Sequence, residues 1–311
     1  MNELLTSTAF VVLLAIALDR VLGEPRRLHP LVAFGRLAAA LERQLNRGSA
    51  VAQLLLGALA YGLAVLPALV VLLCLSAMLA EQSMWLSRLL DVLVLYLAIG
   101  WQSMREHVLP IVDALAAGDL DTARRALSYI VSRDTASLDE SQLLTAAVET
   151  TLENSSDALL ASLFWFAVAG PVAVLAHRLS NTLDAMWGYR NTRFNYFGRV
   201  AARSDDLLNF IPAQLTALSF ALLRASPRAL RCLMTQGWRW KSVNAGAVMA
   251  SGAAALGLKL GGEACYHGQH QRRATLGEGR SPRSADLARA LHLVDGVSLL
   301  WLLLLFVMAV L

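Results

Sequence analysis

The sequence has few charged residues and almost no lysine. Charged residues make up 16% of its 311 residues, whereas soluble domains average about 25%. Lys241 and Lys259 are the only lysines, so the net charge of +4 is carried almost wholly by arginine. The chain has no dense basic run of the kind that binds nucleic acid. We therefore expect no nucleic-acid partner and a chain that lies largely in lipid.

Cysteine is also scarce, and the common nucleotide motifs are absent. The spacing of Cys74, Cys232 and Cys265 fits neither a metal site nor paired disulfides, so we expect inert thiols. The sequence contains no Gly-x-x-x-x-Gly-Lys-Ser/Thr loop, no Gly-x-Gly-x-x-Gly fingerprint and no His-Glu-x-x-His helix. A bound nucleotide would therefore have to be held by other residues.

Long apolar runs dominate what is present. Hydrophobic residues make up 57% of the sequence, and the mean hydropathy is +0.53. Spanning a bilayer takes about 20 apolar residues in a helix. Four runs read as spanning helices: Leu4–Leu22, Ala50–Leu79, Trp85–Trp101 and His292–Leu311. They predict an all-α, polytopic integral membrane protein with a single membrane-embedded domain over residues 1–311.

The distribution of arginine predicts the topology. Basic residues cluster between Arg20 and Arg47, so this loop is expected in the cytoplasm. Residues 102–157 then form a cytoplasmic helical loop. Residues 263–289 are polar and interrupted by glycine and proline, which predicts a second cytoplasmic loop. We expect a multi-pass protein of the bacterial inner membrane.

Two apolar segments in the middle of the chain, Ala158–Ala176 and Leu207–Leu223, are flanked by arginines at both ends. Either the charge rule is weak here, or these segments are re-entrant helices that line a cytoplasmic cavity, where irregular backbone is tolerated. The break at Ala169-Gly170-Pro171 favours re-entrant helices. Val243–Gly262 is rich in small residues and is suited to close helix packing.

A first polar cluster precedes Ala158. Glu149, Glu153 and Asp157 are spaced four apart, so on a helix they share one face. Like charges at this spacing repel by a few tenths of a kcal/mol per pair. The cluster therefore predicts a cation or an arginine as partner, and Mg²⁺ prefers such oxygen ligands. The alternative is a solvated helix face that ends at the lipid headgroups.

A second polar cluster combines Asn181 and Asp184 with Asp205, Asp206 and Asn209. Ionisable groups at a membrane boundary are expensive to place and favour a functional site. Arginine's planar guanidinium suits phosphate and carboxylate groups. Four arginines lie within this cluster: Arg190, Arg193, Arg199 and Arg203. The alternative is a cytoplasmic loop held by salt bridges.

The chain strongly resembles the CobD/CbiB family of cobalamin-biosynthesis membrane proteins, the adenosylcobinamide-phosphate synthases. The resemblance covers nearly the whole chain in order. It is carried by Leu18–Pro25 with His29-Pro30 and Gly35-Arg36, Arg125–Thr135, Val148–Asp157, Asn181–Asn191, Phe197–Asp206, Ile211–Ala213 and Asn244–Gly246. The chain departs from the usual family residue at Ala158, Ser162, Gln214 and Val243.

The resemblance implies an ATP-dependent amide ligation late in the corrinoid pathway. The free propionate of adenosylcobyric acid would be joined to aminopropanol phosphate or a related amino alcohol, with ATP and Mg²⁺ as cofactors. We expect a cytoplasmic active site, contact with membrane lipid, and other late membrane enzymes of the pathway as partners. Oligomeric state cannot be inferred from the sequence.

The same resemblance, taken with the charge clusters, gives each candidate residue an expected role. The expected Mg²⁺ ligands are Glu149, Glu153, Asp157 and Asp184. The expected substrate and phosphate contacts are Arg190, Arg193, Arg203, Asn154, Asn181, Asn191 and Asn244. The expected catalytic residues are Asp205, Asp206 and His29, although a lone histidine is more often structural.

Two other functions would use similar residues. A membrane prenyl transferase would also hold Mg²⁺ with carboxylates, but it favours Asp-x-x-Asp clusters, which this sequence lacks. A corrinoid transporter or assembly subunit would bury charges in the middle of its spans. The spans Leu4–Leu22 and Ala50–Leu79 contain almost no ionisable group besides Asp19 and Arg20, which stand at an exit.

Overall fold

The computed structural model describes residues 7–25, 29–266 and 269–310. The chain forms two compact units. The first unit comprises Met1–Gly100, Ala161–Asn209 and Leu305–Leu311, and the second comprises Trp101–Leu160 and Phe210–Leu304.

Helices make up most of both units. In chain order they are α1 (Thr8–Leu22), α2 (Pro30–Leu45), α3 (Ala50–Gln82), α4 (Met84–Ala98), α5 (Trp101–Ala116), α6 (Leu120–Ser128), α7 (Glu140–Ser155), α8 (Ala161–Trp187), α9 (Arg199–Leu223), α10 (Pro227–Gln236), α11 (Val243–Leu256) and α12 (Ser284–Val310). A π-helical turn, Ser156–Leu160, joins α7 to α8, and a 3₁₀ turn, Gly237–Arg239, follows α10. Strands β1 (Lys259–Tyr266) and β2 (Gln269–Gly277) form a two-stranded antiparallel sheet.

Within the described residues, five helical stretches are long and apolar enough to cross a membrane. They are Ala50–Gln82, Met84–Ala116, Glu140–Trp187, Arg199–Leu223 and Ser284–Met308. The protein is therefore a multi-pass, all-α membrane protein, as the apolar runs predicted. The second stretch continues past Trp101 through α5, and the cytoplasmic position expected for residues 102–157 stays a prediction. Part of Leu4–Leu22 lies outside the described residues, and its role as a span stays a prediction.

The core of the first unit is built around Trp187 and Phe197, whose rings pack edge to face with centroids 5.1 Å apart. Both side chains are fully buried. The glycine at position 57 brings α3 against the backbone of Phe197, because a Cβ there would lie 2.0 Å from the Phe197 carbonyl oxygen. Tyr61, four residues along α3, shares a hydrogen bond of 2.7 Å with Ser180 of α8. The packing of α3 thus requires a glycine at position 57.

Gly57→Ala is expected to destabilise the protein by about 1–3 kcal/mol, the usual cost of forcing extra atoms into a packed core. Gly62→Ala is the matched control in the same helix, since its Cβ would meet only Leu66 Cδ1 at 3.8 Å. It should instead stabilise the helix by about 0.5–1 kcal/mol. Thermal unfolding in detergent checks both. Equal melting temperatures for the two variants would contradict the close approach at Gly57.

The apolar stretch Glu140–Trp187 is interrupted twice. Asp139 and Gln142 form a capping box that starts α7. The π-helical turn at Ser156–Leu160 then shifts the register, and such turns are frequent at functional sites. Inside α8 the backbone leaves the helical region at Ala169 and at Gly170, whose φ is +71°. The predicted break before Pro171 is therefore confirmed, whereas a re-entrant path for this segment stays a prediction.

The predicted polar loop at residues 263–289 is wrong in its first half, because β1 and β2 form a hairpin there. A glycine just before this predicted loop permits tight backbone geometry. Gly261 has a φ of +85° at an irregularity in the pairing, and a Cβ there would lie 2.0 Å from the Ala274 carbonyl oxygen. Strand glycines of this kind mark bulges and close approaches. The second half of the expected loop contains the start of α12 at Ser284.

The second unit is centred on α11, in which nearly every residue from Ala245 to Leu256 is buried. A Cβ at Gly252 would lie 2.8 Å from Leu152 Cδ2 of α7, and Ser251 donates a hydrogen bond of 2.6 Å to the Ala217 carbonyl of α9. The small residues of Val243–Gly262 therefore serve close helix packing, as predicted.

Candidate functional site

The first polar cluster lies in the second unit and is centred on Glu149, which is only 3% exposed. Its Oε2 accepts hydrogen bonds from the guanidinium groups of Arg133 and Arg273, the latter at 2.8 Å. Its Oε1 accepts the backbone N–H of Gly261 at 2.9 Å. Glu149 thus ties α7 to the loop before it and to the hairpin.

Arg273 is itself held in place by several contacts. Its guanidinium lies over the ring of Trp240, 5.3 Å from the centroid, where the negative face of the ring attracts the cation. It also reaches the carbonyls of Gly261 and Gly262 at 3.4 Å. The carboxylate spacing predicted either a cation or an arginine as partner, and in the structure Glu149 binds two arginines. Both oxygens of Glu149 accept N–H donors, and its expected binding of Mg²⁺ stays a prediction.

The other members of the first cluster differ from Glu149. Glu153 is half-buried, and its carboxylate accepts no hydrogen bond from a described residue. The negative charges of Glu149 and Glu153 repel each other. Asn154 donates to the carbonyl and the hydroxyl oxygen of Thr150, both at 2.9 Å. Asp157 lies on the π-helical turn. Across the described parts of the chain, no three His, Cys, Asp or Glu side chains are arranged to hold a metal ion.

The second polar cluster lies in the first unit and is centred on Asp205 of α9, which is 9% exposed. Its Oδ1 accepts hydrogen bonds from the amide nitrogens of Asn181 at 3.1 Å and Asn209 at 2.9 Å. Its Oδ2 accepts none from a described residue. The side chain therefore presents one fixed oxygen and one open oxygen. Asp206, next in the chain, is exposed.

Sequence reasoning missed His177, a fully buried residue of α8. Its Nε2 lies 2.9 Å from Asn209 Oδ1. Because Asn209 uses its amide nitrogen to donate to Asp205, its oxygen must accept, and His177 Nε2 must donate. The i,i+4 spacing of His177 with Asn181, and of Asp205 with Asn209, would have placed these side chains on two helix faces.

Asp184 adjoins this network on α8 and is half-buried. Its carboxylate folds over Gly188, where a Cβ would lie 1.9 Å from Asp184 Oδ1. The negative charges of Asp205 and Asp206 both act on it. Gly188 thus leaves space for the Asp184 carboxylate, which a larger residue would displace.

The arginines of the second cluster divide into two groups. Arg193 donates to both oxygens of Glu42, with Nε–Oε1 at 3.0 Å and Nη2–Oε2 at 2.6 Å. Asn191 Oδ1 accepts the backbone N–H groups of Arg193 and Phe194, so it stabilises a turn. Arg193 and Asn191 thus have structural contacts, and their expected phosphate or substrate roles stay predictions. Of the remaining three arginines, Arg199 lies over the ring of Tyr196, 5.1 Å from its centroid, whereas Arg190 and Arg203 are exposed and pair with no described residue.

The Glu42–Arg193 pair predicts a pH dependence of stability. Hydrogen bonding to Arg193 holds the pKa of Glu42 below its ordinary value of 4.5. Its contribution to stability is therefore complete above pH 4.5 and is lost as the pH falls through the lower pKa of the folded state. Melting temperatures below pH 4.5 should fall more steeply in the natural protein than in Glu42→Gln. Parallel pH profiles would contradict this interpretation.

His29, the third expected catalytic residue, caps a helix instead. Its Nδ1 accepts the backbone N–H of Leu31 at 3.2 Å at the start of α2. Its Nε2 lies 3.8 Å from Glu24 Oε1, and burial lowers its pKa below the ordinary 6.5. His29 Nδ1 is already used as an acceptor, and the catalytic role expected of His29 stays a prediction. Asn244 lies in the first turn of α11, in the second unit, after the capping residue Ser242.

Comparison with known proteins decides the family. The family model described as CobD/Cbib protein matches residues 12–294. The chain belongs to the CobD/CbiB family. It is 52% identical to the protein named "Cobalamin biosynthesis protein CobD" of Stutzerimonas stutzeri, with 94% of each chain covered. The proteins of the same name in Chromobacterium violaceum and Mycobacterium tuberculosis are 46% and 40% identical, covering 95% and 91% of this chain and 95% and 90% of their own. No solved structure matches.

In this CobD/CbiB chain the two polar clusters belong to different compact units. The Asp205 network lies in the first unit and the Glu149 group in the second. The expectation that both line one cytoplasmic cavity stays a prediction. Of the two, the Asp205 network alone combines a buried, oriented carboxylate with further carboxylates and with arginines that have no described partner.

The carboxylates of this network fit a Mg²⁺ ion that also binds phosphate. Mg²⁺ in phosphate-using sites is held by one or two carboxylates and completes its shell with phosphate oxygens and water. Asp184 offers one such ligand in this CobD/CbiB unit, beside the charges of Asp205 and Asp206. A cage of three or more carboxylates is not found among the described residues.

Proposed function

We propose that this protein acts in cobalamin biosynthesis as an ATP-dependent amide ligase. Its substrates would be adenosylcobyric acid and aminopropanol phosphate, or a related amino alcohol. Membership in the CobD/CbiB family and relatives named for cobalamin biosynthesis support the pathway. The reaction type is supported by the chemistry of the site and by the family resemblance of the motifs.

The observation that carries the proposal is the Asp205 carboxylate. One oxygen is fixed by two amide donors, and the other accepts no hydrogen bond from a described residue. A carboxylate oriented in this way can accept a proton from an attacking amine, a task that general bases perform at hydrogen-bond distance. Its near-complete burial reduces competition from water.

The reaction proceeds in two balanced steps. A carboxylate oxygen of the corrinoid attacks the γ-phosphorus of ATP, the bond to the β-phosphate oxygen breaks, and ADP leaves. The amine nitrogen then attacks the acyl carbon of the resulting acyl phosphate, the bond to the phosphate oxygen breaks, and inorganic phosphate leaves. Asp205 takes the proton released by the amine.

Phosphate binding is assigned to the two arginines without described partners, Arg190 and Arg203. Guanidinium groups bind phosphate through paired N–H donors and neutralise charge that develops during phosphoryl transfer. Mg²⁺, held by Asp184, would supply further charge neutralisation when bound. The Mg²⁺ role expected of Glu153, which lies in the second unit, stays a prediction.

The location follows from the substrates. ATP is cytoplasmic, so the site is proposed to face the cytoplasm from the bacterial inner membrane. Because the corrinoid is bulky, we propose that other late membrane enzymes of the pathway contact this protein. The five helical stretches are long and apolar enough to lie in membrane lipid.

The test is a ligation assay with detergent-purified protein, adenosylcobyric acid, ATP and aminopropanol phosphate. ADP and the amide product should form together, and only when all three substrates and Mg²⁺ are present. The unphosphorylated amino alcohol, run in parallel, identifies the amine accepted. A protein that melts cooperatively and yet forms no corrinoid-dependent ADP would overturn the proposal.

A further inference from the structure

We infer that His177 is a positioning residue for the proposed reaction, acting on Asp205 through Asn209. The inference rests on the proposed function, in which Asp205 accepts the proton of the amine. It is carried by a hydrogen-bond chain that runs from α8 to α9 within the first unit. Nothing in the sequence pattern required a histidine to take part in it.

The chain has a fixed direction. His177 Nε2 donates to Asn209 Oδ1 at 2.9 Å, and Asn209 Nδ2 donates to Asp205 Oδ1 at 2.9 Å. The side chains of His177 and Asn209 are 0% and 1% exposed, so water does not compete for these bonds. His177 Nδ1 is buried and has no partner among the described residues. Its single hydrogen bond is therefore the one to Asn209.

The role of that bond is to select one orientation of an amide. The oxygen and nitrogen of an asparagine side chain are nearly equal in size, so the group can rotate to exchange them. In the exchanged orientation Asn209 would turn its oxygen toward Asp205 Oδ1, and two acceptors would face each other. The N–H of His177 excludes that orientation, because it needs the Asn209 oxygen.

The consequence reaches the open oxygen of Asp205. Two donors on Oδ1, from Asn181 and Asn209, fix the carboxylate plane and leave Oδ2 in one place. If the Asn209 donor is lost, one hydrogen bond remains and the carboxylate can turn about it. His177 therefore controls the position of the base without contacting the substrate.

Two polar substitutions separate the hydrogen bond from simple packing. His177→Gln places an amide nitrogen near the former Nε2, whereas His177→Asn is too short to reach Asn209. We expect His177→Asn to lower kcat by about 10–100-fold, the usual effect of losing a supporting contact of this kind. The KM values for ATP and the amino alcohol should change little, and His177→Gln should restore most of kcat. Equal losses in both variants at matched melting temperatures would overturn the inference.

A double-mutant cycle tests the route through Asn209. If His177 acts only on Asn209, then His177→Asn should cause no further loss of kcat in an Asn209→Ala background. Losses that multiply would show that His177 acts by another route, which contradicts the inference.

A labelling experiment keeps the inference testable even if ligation fails. A carbodiimide with a small amine labels carboxyl groups without any substrate, and peptide mass spectrometry reports Asp205 alone. Labelling of Asp205 should increase several-fold in His177→Asn and stay near the natural level in His177→Gln. Unchanged labelling in His177→Asn would refute the hydrogen-bond chain. Absent ligation with the expected labelling would refute the proposed function alone.

Discussion

Asp205→Asn is expected to lower kcat for ligation by about 10²–10⁴-fold, the range contributed by a general base. The substitution keeps the shape of the side chain, and its oxygen can still accept the hydrogen bonds of Asn181 and Asn209. The amide cannot accept the proton that the attacking amine releases. Substrate-dependent ADP release and amide formation are measured at saturating substrates, with thermal unfolding as the check on folding.

Asp206→Asn discriminates between the two neighbouring carboxylates, which the sequence left as equal candidates. Asp206 is exposed, whereas Asp205 is buried and oriented. The larger loss should therefore belong to Asp205. A larger loss in Asp206→Asn would transfer the role of base to Asp206 and would remove the basis for the His177 inference.

Glu149→Ala is expected to destabilise the protein by about 3–5 kcal/mol, because removing one member of a buried ion pair leaves a buried charge without compensation. The side chains of Arg133 and Arg273 are only 8% and 11% exposed. Both would lose their shared carboxylate, and the N–H of Gly261 would lose its acceptor. Thermal unfolding in detergent measures the loss.

Glu153→Ala is the matched control on the same helix, four residues along. The Glu153 carboxylate accepts no hydrogen bond from a described residue, and its removal relieves the repulsion between its charge and that of Glu149. Its effect on the melting temperature should be small. If Glu149→Ala melts like the natural protein but loses the Mg²⁺ dependence of catalysis, then Glu149 is a metal ligand and its structural role is contradicted.

The features that the sequence predicted correctly depend on local composition. Apolar length marked Ala50–Leu79 and His292–Leu311 as spanning segments, because lipid requires a continuous run of apolar residues. The break at Gly170 before Pro171 was predictable for the same reason, since these residues disturb a helix wherever they stand. The density of carboxylates near Glu149 and Asp205 also located both polar groups.

The partners of those carboxylates could not be predicted, because they come from distant parts of the chain. Glu149 meets Arg133 and Arg273, which are 16 and 124 residues away, and Glu42 meets Arg193 across 151 residues. Spacing within one helix contains no information about such pairs. A carboxylate that binds arginine and one that binds Mg²⁺ therefore look alike in sequence.

The hairpin and His177 were missed for a different reason. The glycines at 261 and 277 have the composition of a loop, but they serve backbone with φ values of +85° and +79° in paired strands. His177 stands in the mostly apolar segment that follows Pro171, where a lone histidine gives no pattern. Its role depends on Asn209, 32 residues later, whose amide orientation no sequence rule gives.

The central claim is that the corrinoid carboxylate is activated by phosphorylation in this protein. The most direct measurement uses adenosylcobyric acid with ¹⁸O in the propionate carboxylate and follows the label after one turnover. Phosphorylation of the carboxylate predicts that one ¹⁸O atom appears in the released inorganic phosphate and that ADP is the nucleotide product. Amide product without ¹⁸O in the phosphate, or with AMP in place of ADP, would contradict the account.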